Sequence, residues 1–513
     1  MKNNKLIEWI LILICVGFLA YLPSLFGSFV WDDEDYVYNN QYVTEFSITK
    51  YFTQQAIAGR GKDSQYYRPL QLTLNGINHT LFGYSPFAYH LTNVVVHIGA
   101  AVTIFFFLFL VIGNLPISFL TTLFFLIHPI QTEAVSYISG LADPLVALWG
   151  FLTLIFFWKK ERIWYLGISI GFFIFALLSK ETGLLFLPLL IVLQILYKRR
   201  SYHSLIPYVM IAIIYGALHI GVTSNIDLAA SWKGSPYGNS LLTRLLTFVQ
   251  NFWFYLGLLV FPKDLYMERD LTLPLQTSPL NLYLLGFVTM ICTVGVYLYQ
   301  IWRQVEKRKT LLLLFLGIWI TLFPTMGILL VNGIMYEHYL YIAIVFITSF
   351  ILLVFKRYIN TRMIIIISIV GVLLVIRSYV RQWEWIDPIR FYEQTLHYEP
   401  SSTRIQNNLA MAYAEHGEQD KAIPLYLEAI KKNPFTPNLY HNLANIYRDR
   451  EEFTTAEAYY KKATVVSPQF YYSYVALLEL YQKTKQGEQF SKTLQEIRTK
   501  FPYLELKQLD SNN

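Results

Sequence analysis

Trp31-Asp32-Asp33-Glu34-Asp35 sets four carboxylates in a row directly after a long apolar block, Leu6–Leu25. Acids at a membrane edge are costly unless they are solvated or used. A positioned carboxylate can take the proton of a hydroxyl as that weak nucleophile attacks. A solvated helix start would explain the same run, because carboxylates favour helix N-termini. Further acids, Glu133, Asp143, Glu181 and Glu337, fall in other loops between apolar blocks, beside His128, Lys180 and His338, with Arg68 in Tyr66-Tyr67-Arg68-Pro69. Each alone is more often a structural partner than a catalyst. Converging on one side of a bundle, such groups line a cavity.

The elements that must position them are membrane helices. Of 513 residues, 55% are hydrophobic and only 15% charged, against roughly 25% charged in an ordinary globular chain. That composition excludes a soluble cytosolic enzyme and a disordered chain. Two cysteines, Cys15 and Cys292, both inside apolar blocks, exclude a disulfide scaffold and read as small core residues. Spans of about 20 apolar residues, shorter within a bundle, are expected at Leu6–Leu25, Leu91–Ile112, Ile117–Ile130, Pro144–Phe157, Ile163–Leu178, Gly183–Tyr197, Ile206–Val222, Leu282–Trp302, Leu311–Leu330, Tyr339–Phe355 and Met363–Ile376.

Orientation follows from the basic loops, which face the cytoplasm. The clusters Lys159/Lys160/Arg162, Lys198/Arg199/Arg200, Arg303/Lys307/Arg308/Lys309 and Lys356/Arg357/Arg362 share that side only if Leu241–Phe261 does not cross. This segment, with Arg244, Gln250 and Asn251, is therefore expected to be re-entrant or interfacial. The N-terminus is then cytoplasmic and the C-terminus extracytoplasmic. The loops Gly27–His90, Gln131–Asp143, Ser179–Thr182, Thr223–Ser240, Pro262–Asn281 and Val331–His338 share the outer face. The net charge of +7 is spread over short loops, an orientation signal and not a nucleic-acid footprint.

After Asp387 the chain turns polar and amphipathic. Pro400, Pro434, Pro468 and Pro502 recur every 34 residues, Asn408-Leu409-Ala410 returns as Asn442-Leu443-Ala444, and Ala422, Tyr426 and Ala429 return as Ala456, Tyr460 and Ala463. That period resembles the tetratricopeptide repeat, with a half-unit Phe391–Pro400 ahead of three units and a divergent last one. Expected domains are a transmembrane part at 1–380 with its first outer loop at 27–90, a connector at 381–400, and repeats at 401–513. The fold class is all-α, a polytopic bundle followed by an α-solenoid whose concave face can hold a peptide; a spacer or dimer contact would also use it.

Several motifs in order carry a wider resemblance: Phe29-Val30-Trp31-Asp32-Asp33, Tyr67-Arg68-Pro69-Leu70, His90-Leu91-Thr92-Asn93, His128-Pro129-Ile130-Gln131-Thr132-Glu133, Gly140-Leu141-Ala142-Asp143, Ser179-Lys180-Glu181-Thr182-Gly183 and Tyr336-Glu337-His338-Tyr339-Leu340-Tyr341. With the trailing repeats, the chain resembles membrane glycosyltransferases of the GT-C superfamily, in particular the transmembrane-and-TPR-containing O-mannosyltransferases and their bacterial relatives. It departs from the animal members at Gln131, Leu141 and His338.

The resemblance implies transfer of mannose or a similar hexose from a polyprenyl-phosphate donor to a protein Ser or Thr hydroxyl on the extracytoplasmic face. It makes Asp32 the base and Asp33 its acidic partner. A lipid phosphate leaves, so cations must meet it: Lys180 and Arg68, with His338. Glu133, Asp143, His128, Glu181 and Glu337 become acceptor or sugar contacts. No spacing indicates a metal site, and no cofactor is expected. Partners are the lipid-linked donor, a protein or peptide acceptor held by the repeats, and membrane lipid, with no nucleic acid. Two alternatives stay open: a ligase moving a lipid-linked glycan onto lipid or surface polymer, and an inactive scaffold whose repeats recruit a partner.

Overall fold

The computed structural model describes residues 2–159, 162–223, 232, 234–269, 273–302, 307–330 and 333–502. Lys160, Arg303, parts of the loops Thr223–Ser240, Pro262–Asn281 and Val331–His338, and the tail 503–513 lie outside the described residues. Among the described residues, all regular structure is helical. The chain forms two compact units, Met1–Asp387 and Pro388–Asn513.

The first unit contains α1 (Lys2–Ala20), α2 (Pro69–Phe82), α3 (Pro86–Ile112), α4 (Leu115–Ile127), α5 (Ala142–Trp158), α6 (Trp164–Ser179), α7 (Phe186–Tyr197), α8 (Ile206–Thr223), α9 (Leu241–Val260), α10 (Leu282–Trp302), α11 (Arg308–Leu322), α12 (Ala343–Val354) and α13 (Thr361–Glu384). Helix starts follow local chemistry. Proline stands in the first turn of α2, α3 and α4, where a missing N–H costs nothing. The side chains of Asn114, Ser240 and Asn360 cap α4, α9 and α13. Helix α3 ends at Gly113, whose φ of +63° suits glycine.

Five helical stretches are long and apolar enough to cross a bilayer: Pro86–Ile112, Ile138–Trp158, Tyr202–Thr223, Arg308–Met326 and Thr361–Glu384. A sixth arises if Leu115–Ile127 and Pro129–Ser136, bent by 53°, count together; shorter apolar helices lie at Trp164–Ser179, Glu181–Tyr197, Leu282–Val296 and Ala343–Val354. Each expected apolar block coincides with a helix, but of the eleven expected spans only these five or six are long and apolar enough to cross on their own. The apolar windows of Pro86–Ile112 and Ile138–Trp158 are 61% and 67% buried, those of Tyr202–Thr223 and Thr361–Glu384 only 11%. Exposed Ile213, Ile214, Ile365, Ile369 and Leu373 on the latter pair need lipid around them, which makes this an integral membrane protein.

One expectation fails. Cys15 and Cys292 are both free and exposed; they sit on the outward faces of α1 and α10, because an all-round apolar helix does not reveal from sequence which face meets its neighbours. Segment 241–261 forms the continuous helix α9, with Gln250 and Asn251 buried and donating to the Pro274 and Ile334 carbonyls.

The second unit opens with α14 (Pro388–Tyr398) and continues in three helix pairs: α15 (Thr403–Glu415) with α16 (Gln419–Lys432), α17 (Pro437–Asp449) with α18 (Phe453–Val466), and α19 (Tyr471–Lys483) with α20 (Gly487–Lys500). Ala410, Ala422, Ala429, Ala444, Ala456 and Ala463 have no exposed surface. They are small because adjacent helices touch there. In the last pair Ile497 packs with Tyr474, Leu478 and Phe501.

Candidate active site

The acidic run lies just beyond α1. Trp31 adopts φ +57°, a left-handed conformation that is strained for a bulky residue. The turn separates the two leading acids. Asp32 is exposed and Asp33 is fully buried. Val30 donates its N–H to Asp33 Oδ2 at 3.0 Å; Ser139 donates its N–H at 2.8 Å and its hydroxyl at 2.6 Å to Asp33 Oδ1. Burial pushes the Asp33 carboxyl up to about 7, opposed by the Ser139 and Val30 bonds, while the charge of Asp32 adds to the rise. Ser139 is held in place by a tight turn: a Cβ on Gly140 would stand 2.7 Å from the Ala134 carbonyl oxygen. Asp35 turns away to Lys62 and Arg60. Tyr36, buried in a single π-helical turn over Glu34–Tyr38, interacts electrostatically with Asp32, Arg68 and Glu181.

Arg68 precedes α2, is 9% exposed, lies over the Tyr66 ring at 4.3 Å and stands 3.6 Å from Glu181. Burial disfavours its charge, but Tyr36 and Glu181, with Tyr66 and Asp143, hold the guanidinium firmly protonated. Lys180 breaks the chain between α6 and the turn Glu181–Leu185. Two of its three N–H donors reach Asp143 at 2.8 and 2.9 Å. The return after Lys180 requires Gly183, where a Cβ would lie 2.6 Å from the Ala176 backbone. Asp32, Asp33, Arg68, Asp143, Lys180 and Glu181 therefore share one electrostatic neighbourhood, linked through Tyr36 and Tyr137.

Of the remaining sequence-predicted residues, Glu337 and His338 gather around Glu133, and His128 binds elsewhere. Its Oε2 accepts the N–H of Glu337 at 2.8 Å and of His338 at 3.2 Å, and its Oε1 lies 2.7 Å from His338 Nδ1. Glu337 is 1% exposed and paired with Arg269 at 3.2 Å and Arg381 at 3.3 Å. Burial raises its carboxyl, Arg381 and Arg269 act against the rise, and Glu133 adds to it. His128 is fully buried; its Nε2 meets the Leu259 carbonyl at 3.1 Å and its Nδ1 accepts the Ile130 N–H. Among the described residues, no three His, Cys, Asp or Glu side chains converge as metal ligands.

Tyr36, Ser139, Arg269 and Arg381 join the site without belonging to any of the motifs above. Arg381 was open to detection, since Arg377 and Arg381 stand one helical turn apart at the end of an apolar helix, and such charges face protein rather than lipid. Ser139 carries no such signal.

Known proteins resemble this chain in three respects. The tetratricopeptide repeat family matches residues 389–437 and 409–470. "Protein O-mannosyl-transferase F38B6.6" of Caenorhabditis elegans is 25% identical over 435 residues, covering 82% of this chain and 62% of that protein. "Protein O-mannosyl-transferase TMTC2" of Homo sapiens is 28% identical over 325 residues, covering 55% of this chain and 38% of the human protein. The chain thus spans less than two thirds of the length of these relatives. The crystal structure of ArnT from Cupriavidus metallidurans bound to undecaprenyl phosphate aligns with TM-score 0.44 and 13% identity over 90% of this chain and 76% of that one.

Proposed function

We propose that this chain is a GT-C-type membrane glycosyltransferase. It moves mannose or a similar hexose from a polyprenyl-phosphate donor to a protein Ser or Thr hydroxyl at the extracytoplasmic face. The hydroxyl oxygen attacks the anomeric carbon and a new C–O bond forms. The bond from that carbon to the phosphate oxygen breaks, and its electron pair leaves with the lipid phosphate. The hydroxyl proton passes to the Asp32 carboxylate.

One observation carries the reading. An exposed carboxylate, Asp32, is presented by a strained turn whose other acid is pinned inside the protein, and Asp32 and Arg68 both act on the same buried tyrosine. A base and a cation in one neighbourhood suit a reaction that releases a proton at one end and a phosphate at the other. Lys180 supplies the second cation, with Asp143 holding its ammonium in place. The names of the relatives support a protein acceptor, and the repeats offer a surface to hold it.

The test is transfer of labelled mannose from polyprenyl-phosphate-mannose to a Ser/Thr-rich peptide by the purified protein, with release of the label by alkaline β-elimination. Label appearing instead in a lipid or polysaccharide acceptor would favour the ligase alternative, and no transfer would favour the scaffold.

A further inference from the structure

Next to the Arg68–Glu181 pair lies a group of polar side chains that the transfer chemistry leaves unused. Tyr36 from the acidic loop is 3% exposed and Tyr215 on α8 is 4% exposed. His219 follows one turn later, its ring 5.8 Å from that of Tyr215; the Tyr67 ring stands 6.3 Å and 6.5 Å from these two. Tyr215 and His219 both interact electrostatically with Glu181 and Arg68, and Tyr36 does the same. The cluster is therefore assembled from three separate parts of the chain: the first loop, the turn after α6, and α8.

Its atoms share a second property. The hydroxyls of Tyr36 and Tyr215, Nε2 of His219, Nε of Arg68 and Oε2 of Glu181 are all buried, and none makes a hydrogen bond among the described residues. A buried polar atom without a partner costs roughly 1–3 kcal/mol, and native proteins rarely tolerate many. Several in one place, mixing donors with acceptors around aromatic rings, make a surface that suits a polyol. A phosphate alone would call for cations and donors only; here Glu181 contributes an acceptor.

Resting on the function proposed above, we infer that Tyr36, Tyr215 and His219, together with Glu181, form the subsite that recognises the hydroxyl groups of the donor hexose, separately from the cations that meet its phosphate.

The experiment compares binding of two probes, undecaprenyl-phosphate-mannose and undecaprenyl phosphate, to the full chain and to Tyr36→Phe, Tyr215→Phe and the double variant. Loss of one hydrogen bond to the sugar should weaken the mannose-bearing lipid about five- to tenfold per substitution, with binding of the bare lipid phosphate unchanged. Thermal stability without lipid should be equal or higher in each variant, because the removed hydroxyls have no partner in the free protein. Equal weakening of both lipids, or lower stability without selective loss, would assign these tyrosines to the phosphate or to packing and overturn the inference. No change with either lipid would overturn it as well. If the wild type binds neither lipid, the proposed function itself falls.

Discussion

At the scale of single residues, Asp32 and Asp33 are adjacent in sequence and opposite in setting, one exposed and one buried. Both oxygens of Asp33 receive donors from Val30 and Ser139, so this acid fastens the turn that exposes Asp32. Its raised carboxyl also ties stability to pH. The folded state keeps the proton between the ordinary value of 3.8 and about 7, and the unfolded chain releases it. The stabilisation is complete below about pH 4 and is lost as pH rises through about 7. An asparagine has only one oxygen, so Asp33→Asn leaves either Val30 or Ser139 without its acceptor at every pH, but removes the titration. In detergent, the stability gap between wild type and Asp33→Asn should therefore narrow by about 2–4 kcal/mol between pH 5 and pH 8. A gap independent of pH would show that Asp33 does not carry this proton. The acidic pair was legible in the sequence as chemistry, but its division of labour was not. Which of two neighbouring acids is buried depends on Ser139, a hundred residues away and unremarkable in sequence.

At the scale of elements, the end of α13 braces the site. Gln382 accepts from the N–H and hydroxyl of Ser24 and donates to the Ala20 carbonyl. Ser28 donates both N–H and hydroxyl to the Ile386 carbonyl, at 2.9 and 3.1 Å. The segment that leads into Trp31 is thus stitched to the last turn of α13 and to the residues just after it. Arg381, 1% exposed, joins the same helix to Glu337 and is held by Glu384 one turn on in that helix. Removing one member of a buried ion pair costs roughly 3–5 kcal/mol. Arg381→Ala should lower thermal stability by that order, and Arg381→Lys should restore only part of it, since an ammonium cannot bridge two carboxylates as a guanidinium does. Full stability in Arg381→Ala would mean that this helix end does not brace the bundle. The apolar blocks gave away where helices lie because twenty successive lipid-compatible residues have few other fates. Their partners were not legible: α3 and α13 read equally apolar, yet one is mostly buried and the other faces lipid.

At the scale of the whole molecule, the proposed reaction needs the acidic loop, the cations and the repeats on one side of the membrane. The basic clusters predict that side to be extracytoplasmic, provided that α9 does not cross. A reporter fused after Asp387 should then be accessible from outside and one inserted at Lys307 from the cytoplasm; the reverse pair would separate the repeats from the site. The repeats themselves were the most legible part of the chain. A period of 34 fixes each small residue against its neighbour, so sequence and packing carry the same information in Ala422, Ala429, Ala456 and Ala463.

If Asp32 takes the acceptor's proton, Asp32→Asn should remove most of the transfer. The amide keeps shape and polarity but cannot accept that proton. Positioned general bases contribute roughly 10²–10⁴-fold, so transfer of labelled mannose should fall by that order while binding of polyprenyl-phosphate-mannose is retained. Near-normal transfer by Asp32→Asn would show that another group takes the proton.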